Sequence, residues 1–473
     1  MIYKRSETAP IKKVIPSILA ISIFMEMLDA TILNTALPSI AKDLGESPLN
    51  MQNAIVSYVL TLAIVMPLNG FLSDKFGTKR VFITALSLFG LGSLFCALSQ
   101  NLLQLVLSRV LQGIGGSLMN PVGRLILIKS YKKDEFLRAF NYAVTPALIG
   151  PILGPLVGGY LVQYLSWHWI FIINIPVALF CIFLSLRHMP NYKDAEDTFD
   201  FKGFLIFAAA SLLFSISLEL LGHPKNLTPV LTIITAGMVM LYLYFRYAKK
   251  RKHALYPISL FSIRTFRIGI IGNLITRIGI GSIPLLLPLL IQVGFGQSAV
   301  ISGWIIAPMA ITAMLGKSSS IRLLNKFSYR NTLRLNTALI GIFIIALSIP
   351  GIHTSIYWFV PLIAILGFFN SIQFTAMNSI TISDLRNYQT SAGNSLLSVN
   401  QQLAVGFGIA LGSVVLRVFQ RNLGEQEIHL AFRYTFIAIG AFTILAGLVF
   451  RRLHSSDGEN LRSKKVINKT SEH

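Results

Sequence analysis

Apolar runs of about twenty residues recur along this chain, separated by short polar stretches. A helix rises about 1.5 Å per residue, so roughly 20 residues cross a hydrocarbon core about 30 Å thick. The pattern predicts spans near 14–37, 52–72, 81–99, 104–126, 138–162, 169–186, 203–221, 227–245, 268–292, 299–316, 333–350, 356–378, 395–416 and 433–450. Fourteen such helices make an all-α polytopic membrane protein. The first run, Ile15 to Pro38, is too long for the apolar region of a removable signal and has no small-residue cleavage site, so it reads as a span.

One run stands apart. Gly150-Pro151-Ile152-Leu153-Gly154-Pro155-Leu156-Val157-Gly158-Gly159 places four glycines and two prolines in ten residues. A membrane tolerates this only where neighbouring helices or a cavity re-satisfy the freed backbone groups. The glycines let another helix approach closely. A kinked, tightly packed helix of this kind suits a moving core; a static packing helix with a structural kink is the plainer reading.

Composition agrees with the span pattern. Of 473 residues, 53% are hydrophobic and 13% charged, with a mean hydropathy of +0.65, whereas a soluble protein carries about 25% charged residues. The net charge of +22 would suggest nucleic acid in a soluble protein. Topology accounts for it here. With the N-terminus in the cytosol, and with Arg138, Arg334 and Arg433 at span edges counted with the adjoining loops, 33 of the 41 Lys and Arg fall on cytosolic segments, five fall outside (Lys42, Lys225, Arg417, Arg421, Arg433) and three lie within spans (Arg109, Arg124, Arg277). That is the positive-inside pattern; it predicts both termini in the cytosol and no nucleic-acid partner. The run Lys249-Lys250-Arg251-Lys252 is placed to rest on anionic headgroups of the bilayer. Cys96 and Cys181 lie in apolar spans and form neither a disulfide framework nor a zinc spacing, so both read as packing residues and no metal is expected.

An internal echo divides the chain. Gly70-Phe71-Leu72-Ser73-Asp74-Lys75-Phe76-Gly77-Thr78-Lys79-Arg80 follows the second span, and Ile321-Arg322-Leu323-Leu324-Asn325-Lys326-Phe327-Ser328-Tyr329-Arg330 follows the tenth. Leu, Lys, Phe and a basic residue recur in register, while Asp becomes Asn and Gly becomes Ser. Parallel halves are one of the repeat plans of secondary transporters. The predicted organisation is an N-terminal six-helix half over 1–190, a linker with two accessory helices over 191–253, a C-terminal six-helix half over 254–454 and a cytosolic tail over 455–473.

Four motifs extend this reading. They are Leu28-Asp29-Ala30-Thr31-Ile32-Leu33-Asn34-Thr35-Ala36-Leu37-Pro38 in the first span, the Gly70 to Lys79 loop, Arg109-Val110-Leu111-Gln112-Gly113-Ile114-Gly115-Gly116 in the fourth span, and Gly150 to Gly159 in the fifth. Trp167-His168-Trp169-Ile170-Phe171-Ile172-Ile173-Asn174-Ile175-Pro176 extends the last. Together they resemble the major facilitator superfamily and, within it, the fourteen-helix drug:proton antiporters. Thr78 stands where the loop motif usually has a basic residue. The resemblance covers nearly the whole chain. It implies the major facilitator fold, export across a bacterial inner membrane, and Gly150, Pro151, Gly154, Pro155, Gly158 and Gly159 as the antiporter motif. It also implies that Arg109 assists proton transfer by bringing its cation to a nearby acid; a structural pairing of Arg109 with amides or carbonyls is the alternative.

The residues themselves supply the chemistry. Glu26 and Asp29 are the two carboxylates placed deep in the membrane. Asp29 lies 16 residues beyond Lys13, or about 24 Å at helical rise, and residues three apart share a helix face. An ionised acid at the bilayer centre costs about 2.5–3.5 kcal/mol on insertion scales. Desolvation and mutual repulsion both favour a proton on the pair, as a proton-coupling site requires. None of the eight histidines lies mid-span, and His168 borders an expected aromatic belt. Arg124 is near a span end and can snorkel. Arg277 lies near the middle of the ninth span, where it either faces Glu26 and Asp29 or binds an anionic group on the substrate. Asn34 and Gln112 are further substrate candidates, within a scatter of amides that includes Asn273, Asn370, Gln373, Asn378, Asn394, Asn400, Gln401 and Gln402. Such groups on apolar walls serve either a cavity or interhelical hydrogen bonds. In the loop, Gly70, Asp74, Gly77, Lys79 and Arg80 read as a conformational latch, with Asp74 opposing a helix N-terminus and the basic side chains meeting acids or lipid.

Weighed together, these features predict a proton-driven antiporter exporting amphipathic small molecules, functional as a monomer and using the proton gradient rather than a cofactor. An exporter of one specific, anionic metabolite is the alternative. No phosphate-binding Gly-x-x-x-x-Gly-Lys-Ser/Thr loop is present in the sequence. A membrane-embedded enzyme would need clustered His and Asp near an interface, and a sensor would not need Glu26 with Asp29, so both are disfavoured.

Overall fold

The computed structural model describes residues 13–194, 198–222, 227–251 and 254–461. Lys225 and Lys252 of the charge pattern, and the tail beyond 461, lie outside them. Thirteen helices among the described residues are long and apolar enough to cross a membrane: Val14–Asp43, Gln52–Phe76, Thr78–Ala97, Leu102–Ser130, Glu135–Tyr164, Trp169–His188, Phe201–Leu221, Leu227–Lys249, Arg264–Gly294, Ala299–Lys326, Ile356–Ile382, Asn387–Leu423 and Ile428–Arg452. The run expected at 333–350 is also helical, as Tyr329–Ala346, but Arg330, Asn331, Arg334 and Asn336 dilute its apolar character. Counted with it, the fourteen expected spans each have a helix.

Several spans are built from more than one helical piece, among them the fifth and the ninth. The fifth is helical over Lys133–Ala147 and again over Gly150–Tyr164. Pro146 closes the first piece and Pro151 opens the second, because proline lacks the N–H that would carry the ladder through. The ninth is helical over Arg264–Gly281 and Ile283–Leu289 and ends in a π-turn over Leu290–Gly294.

The described residues form two compact units, those up to 199 with 297–307 and those of 200–296 with 308–461. In the first unit, Val14–Asp43 packs against both pieces of the fifth span, and Thr78–Ala97 against Leu102–Ser130 and Asn174–His188. In the second, Arg264–Gly281 packs against Thr390–Leu423, and Tyr329–Ala346 against Ile428–Ala446. Gly341 and Gly440 let that last pair approach: a Cβ on either would sit 2.6–2.7 Å from the other's carbonyl oxygen.

The accessory helices Phe201–Leu221 and Leu227–Lys249 pack on each other, and the former also on Thr390–Leu423, within the second unit. Asp200 organises their loop end. Its carboxylate accepts from the Gly203 N–H (3.0 Å), the Tyr247 hydroxyl (2.6 Å) and the Leu255 N–H (2.9 Å). Beneath it Tyr244, Tyr256, Leu260 and Phe266 form one buried cluster, against which Phe207 packs.

Candidate functional site

The first span buries both of its acids: Glu26 is 6% exposed and Asp29 1%. Four polar side chains from three other helices meet at Asp29. Arg109 donates from Nη1 to Asp29 Oδ2 at 2.7 Å. Gln112, three residues on, donates from Nε2 to Oδ1 at 2.8 Å, and Asn174 donates from Nδ2 to the same oxygen at 2.8 Å. The Ser93 hydroxyl accepts from Gln112 at 2.8 Å and from Asn174 at 3.4 Å. Gln112 Oε1 accepts from Arg109 at 2.6 Å, so this amide is engaged on both sides.

Arg109 is held just as firmly. Its Nε donates to the Ala54 carbonyl at 3.2 Å. Its guanidinium carbon lies 4.1 Å from the Tyr58 ring centroid, a cation–π contact. An ionised carboxylate only accepts, and three donors with one balancing cation suit that form of Asp29.

Glu26 is placed differently. Its Oε2 is buried without a hydrogen-bond partner, as is the nearby Tyr58 hydroxyl. No hydrogen bond joins Glu26 to Asp29 among the described residues. The first-span acids, expected as one coupled pair, therefore sit in unlike surroundings: Asp29 is saturated with donors and Glu26 has an unfilled acceptor. Of the expected site residues, the structure joins Asp29, Arg109 and Gln112. Asn34 is buried in the same span and outside this network.

Asn174, Ser93 and Tyr58 were not singled out in the sequence. Asn174 could have been, as the lone amide in the apolar run Trp169 to His188. Ser93 and Tyr58 carry no such signal.

The Gly150 to Gly159 motif braces this site. Gly150, Gly154 and Gly158 recur every fourth residue and so line one helix face. A Cβ on Gly150 would lie 2.9 Å from Met27 Cβ, one on Gly154 2.9 Å from Thr31 Cβ, and one on Gly158 2.6 Å from the Ile32 carbonyl oxygen. The three glycines thus seat the fifth span along residues 27–32, beside Asp29. Gly159 points elsewhere: its Cβ would lie 2.6 Å from the Ala299 carbonyl oxygen. The extension anchors the other end of the first span through the Trp167 indole N–H, which donates to Asp43 Oδ2 at 2.8 Å. Trp167 is buried, so only Trp169, 45% exposed, suits an aromatic belt.

The Gly70 to Arg80 loop closes on a segment that the sequence did not indicate. Gly77 adopts φ 91°, ψ 144°, turning helix Asn69–Phe76 into helix Thr78–Ala97. Residues 191 and 192 lie across this turn. Thr78 N–H donates to the Tyr192 carbonyl (2.9 Å), Tyr192 N–H to Thr78 Oγ1 (3.1 Å), and Lys79 N–H to Asn191 Oδ1 (3.0 Å). Lys79 Nζ caps the Leu186 carbonyl at 2.7 Å, where a helix C-terminus favours a cation. Lys129 pairs with Asp194 beside it. Asp74 is half-buried one turn before Gly77, and Arg80 is exposed. In the second copy Ser328, aligned with Gly77, keeps an ordinary extended φ of −68° and instead caps Asn331 N–H at 3.3 Å.

In the second unit Arg277 donates from Nε to Asn273 Oδ1 at 3.0 Å and lies 4.6 Å from the Phe374 ring centroid. Several of the scattered amides pair between helices: Asn336 to Gln373 (2.9 Å), Gln401 to Asn378 (2.6 Å) and Asn400 to the Ile270 carbonyl (3.0 Å). Among the described residues no three His, Cys, Asp or Glu are grouped to hold a metal.

The profile of the Major Facilitator Superfamily matches residues 19–409 and, again, 270–471. The chain belongs to the major facilitator superfamily. The second match begins inside the first. Among superfamily relatives, it is 40% identical over 445 residues to "Probable transport protein HsrA" of Haemophilus influenzae, covering 94% of this chain and 96% of that one. It is 40% identical over 451 residues to "Putative multidrug resistance protein MdtD" of Serratia proteamaculans, covering 94% of each. Solved superfamily folds align along most of the chain. A peptide transporter POT in complex with sulfate gives a TM-score of 0.69 at 16% identity, covering 92% of this chain and 93% of that one. A bacterial homologue of the lysosomal transporter Spinster gives 0.67 at 14% identity, covering 94% and 97%. This facilitator is a multi-pass membrane transporter and not an enzyme.

Proposed function

We propose that this transporter is a proton-coupled antiporter of a bacterial inner membrane, exporting amphipathic small molecules by alternating access. The observation that carries the reading is the buried Asp29–Arg109 pair with the unpartnered Glu26 oxygen one helical turn away. In the conformation described, Arg109 balances Asp29 and Glu26 offers a seat for a proton. Rotation of the fourth span relative to the first withdraws Arg109, and Asp29 then takes a proton in its place, since a bare carboxylate at this depth is costly. One proton enters from the acidic side and leaves on the other when the guanidinium returns. The gradient thereby drives the conformational cycle with no cofactor. The kinship to a protein named for multidrug resistance supports the cargo class.

Reconstitution in liposomes with an imposed pH gradient tests this, screening cationic dyes against anionic aromatic compounds. Uptake driven by the gradient and abolished by Asp29→Asn is the expected result. Undiminished gradient-driven uptake by the Asp29→Asn, Glu26→Gln double variant overturns it.

A further inference from the structure

A cleft in the second unit lies around Arg277, lined among others by Asn273, Asn370, Gln373, Phe374 and Met377. Setting aside Asn370, whose amide carries both a donor and an acceptor, its hydrogen-bonding capacity is one-sided. Gln373 Oε1 is filled by Asn336 (2.9 Å), Gln373 Nε2 is given to Thr337 Oγ1 (2.9 Å), and that hydroxyl donates to the Leu333 carbonyl (2.7 Å). Asn273 Oδ1 is filled by Arg277 Nε. What remains is donors. Asn273 Nδ2 is buried with no partner although the residue is 0% exposed, and the two terminal nitrogens of Arg277 make no ion pair among the described residues.

A guanidinium in a membrane span without a counter-ion is expensive. The face of Phe374 offsets part of that cost and orients the plane, but supplies no negative charge. An orphaned amide N–H beside it adds a second unmet demand. One ligand answers both: a planar anion taking two hydrogen bonds from the guanidinium fork and one from Asn273. As it stands the cleft has room for about one water-sized group, so a carboxylate with an apolar body enters only as the walls, among them Ile280, Ile340 and Met377, move apart in the transport cycle.

We infer that Arg277 and Asn273 form an anion-recognition subsite that grips the carboxylate of an amphipathic organic acid. This rests on the export reading above and narrows its cargo from amphipathic molecules in general to those bearing a carboxylate.

The test uses purified full-length protein and three fluorescent probes of one shape: 1-naphthoate, 1-naphthamide and 1-naphthylmethylammonium. Naphthoate should bind, with its neutral and cationic counterparts at least about tenfold weaker. Arg277→Lys keeps the charge and loses the fork, and should weaken naphthoate about tenfold. Arg277→Gln should abolish the preference for naphthoate over naphthamide. Phe374→Leu should weaken naphthoate several-fold. Asp200→Ala, at a helix cap outside the cleft, should bind naphthoate as the parent does; and because binding is read without a pH gradient, proton coupling can fail while the subsite stands. No binding of naphthoate, equal binding by Arg277→Gln of unchanged elution profile, or preference for the cation overturns the inference.

Discussion

Asp29 receives three side-chain donors in a buried site, and they meet two needs. Arg109 balances charge, while Gln112 and Asn174 fill the second oxygen. A buried ion pair adds little net stability over an apolar pair, but removing one partner strands the other at about 3–5 kcal/mol. Arg109→Gln should therefore lower the unfolding midpoint sharply, and so should Asp29→Asn. The double variant should melt closer to the parent than either single one while remaining inactive in gradient-driven uptake. Thermal unfolding of the purified proteins measures this; a double variant as unstable as the sum of the singles would show that the pair is not coupled. The sequence marked Asp29 and Arg109 as buried charges because each interrupts an apolar run. That they meet across 80 residues of chain was beyond it, since local composition holds no partner information. Arg109 was expected near an acid only through the family resemblance.

At the scale of elements, the fifth span shows how a repeat of small residues becomes geometry. Glycine every fourth position yields one smooth face, and the first span settles on it at residues 27–32. Gly158→Ala brings a methyl onto the Ile32 carbonyl oxygen, which cannot turn away, so the helices must separate. Transport is expected to fall by more than tenfold. At Gly154 the obstruction is the Thr31 side chain, so Thr31→Ala should restore part of the activity of Gly154→Ala and none of that of Gly158→Ala. Dye uptake into liposomes distinguishes the cases; equal rescue of both would refute the assignment of contacts. The accessory pair offers a contrast. Asp200 caps helix Phe201–Leu221 and ties it to Tyr247 and Leu255. Loss of a cap costs about 0.5–2 kcal/mol, so Asp200→Ala should lower the unfolding midpoint and leave transport per folded molecule unchanged. A kink in the fifth span was readable from the prolines of Gly150 to Gly159; the structure puts the break just before them, at 148–149, and Pro155 stays within a helix. The face each glycine presents was not, because periodicity tells which residues align and not which neighbour they meet.

For the whole molecule, the loop after the second span illustrates what a motif leaves open. Its glycine, acid and lysine suggested a latch, and the latch partner was expected among acids or lipid. In the structure the loop backbone bonds to residues 191 and 192, and Lys79 caps the sixth helix at Leu186. As a latch, which forms and releases in each cycle, the loop would affect rates more than ground-state affinity. Asp74→Asn should accordingly lower turnover several-fold with substrate affinity nearly intact. Parallel measurements of initial uptake rate and equilibrium probe binding check it; an equal loss in both would place Asp74 in the binding machinery instead.

Membrane residence, the number of spans and the deep acids followed from the sequence alone, because hydropathy is a local sum over about twenty residues and needs no fold to evaluate. One loop written twice suggested repeated halves. Tertiary structure decided which polar groups pair. It saturated Asp29 and left Glu26 unfilled, engaged Gln112 within the network, and gathered surplus donors about Arg277. The physical reason is that a polar side chain in hydrocarbon must find a partner at hydrogen-bond distance. Which partner lies within reach depends on how distant helices pack.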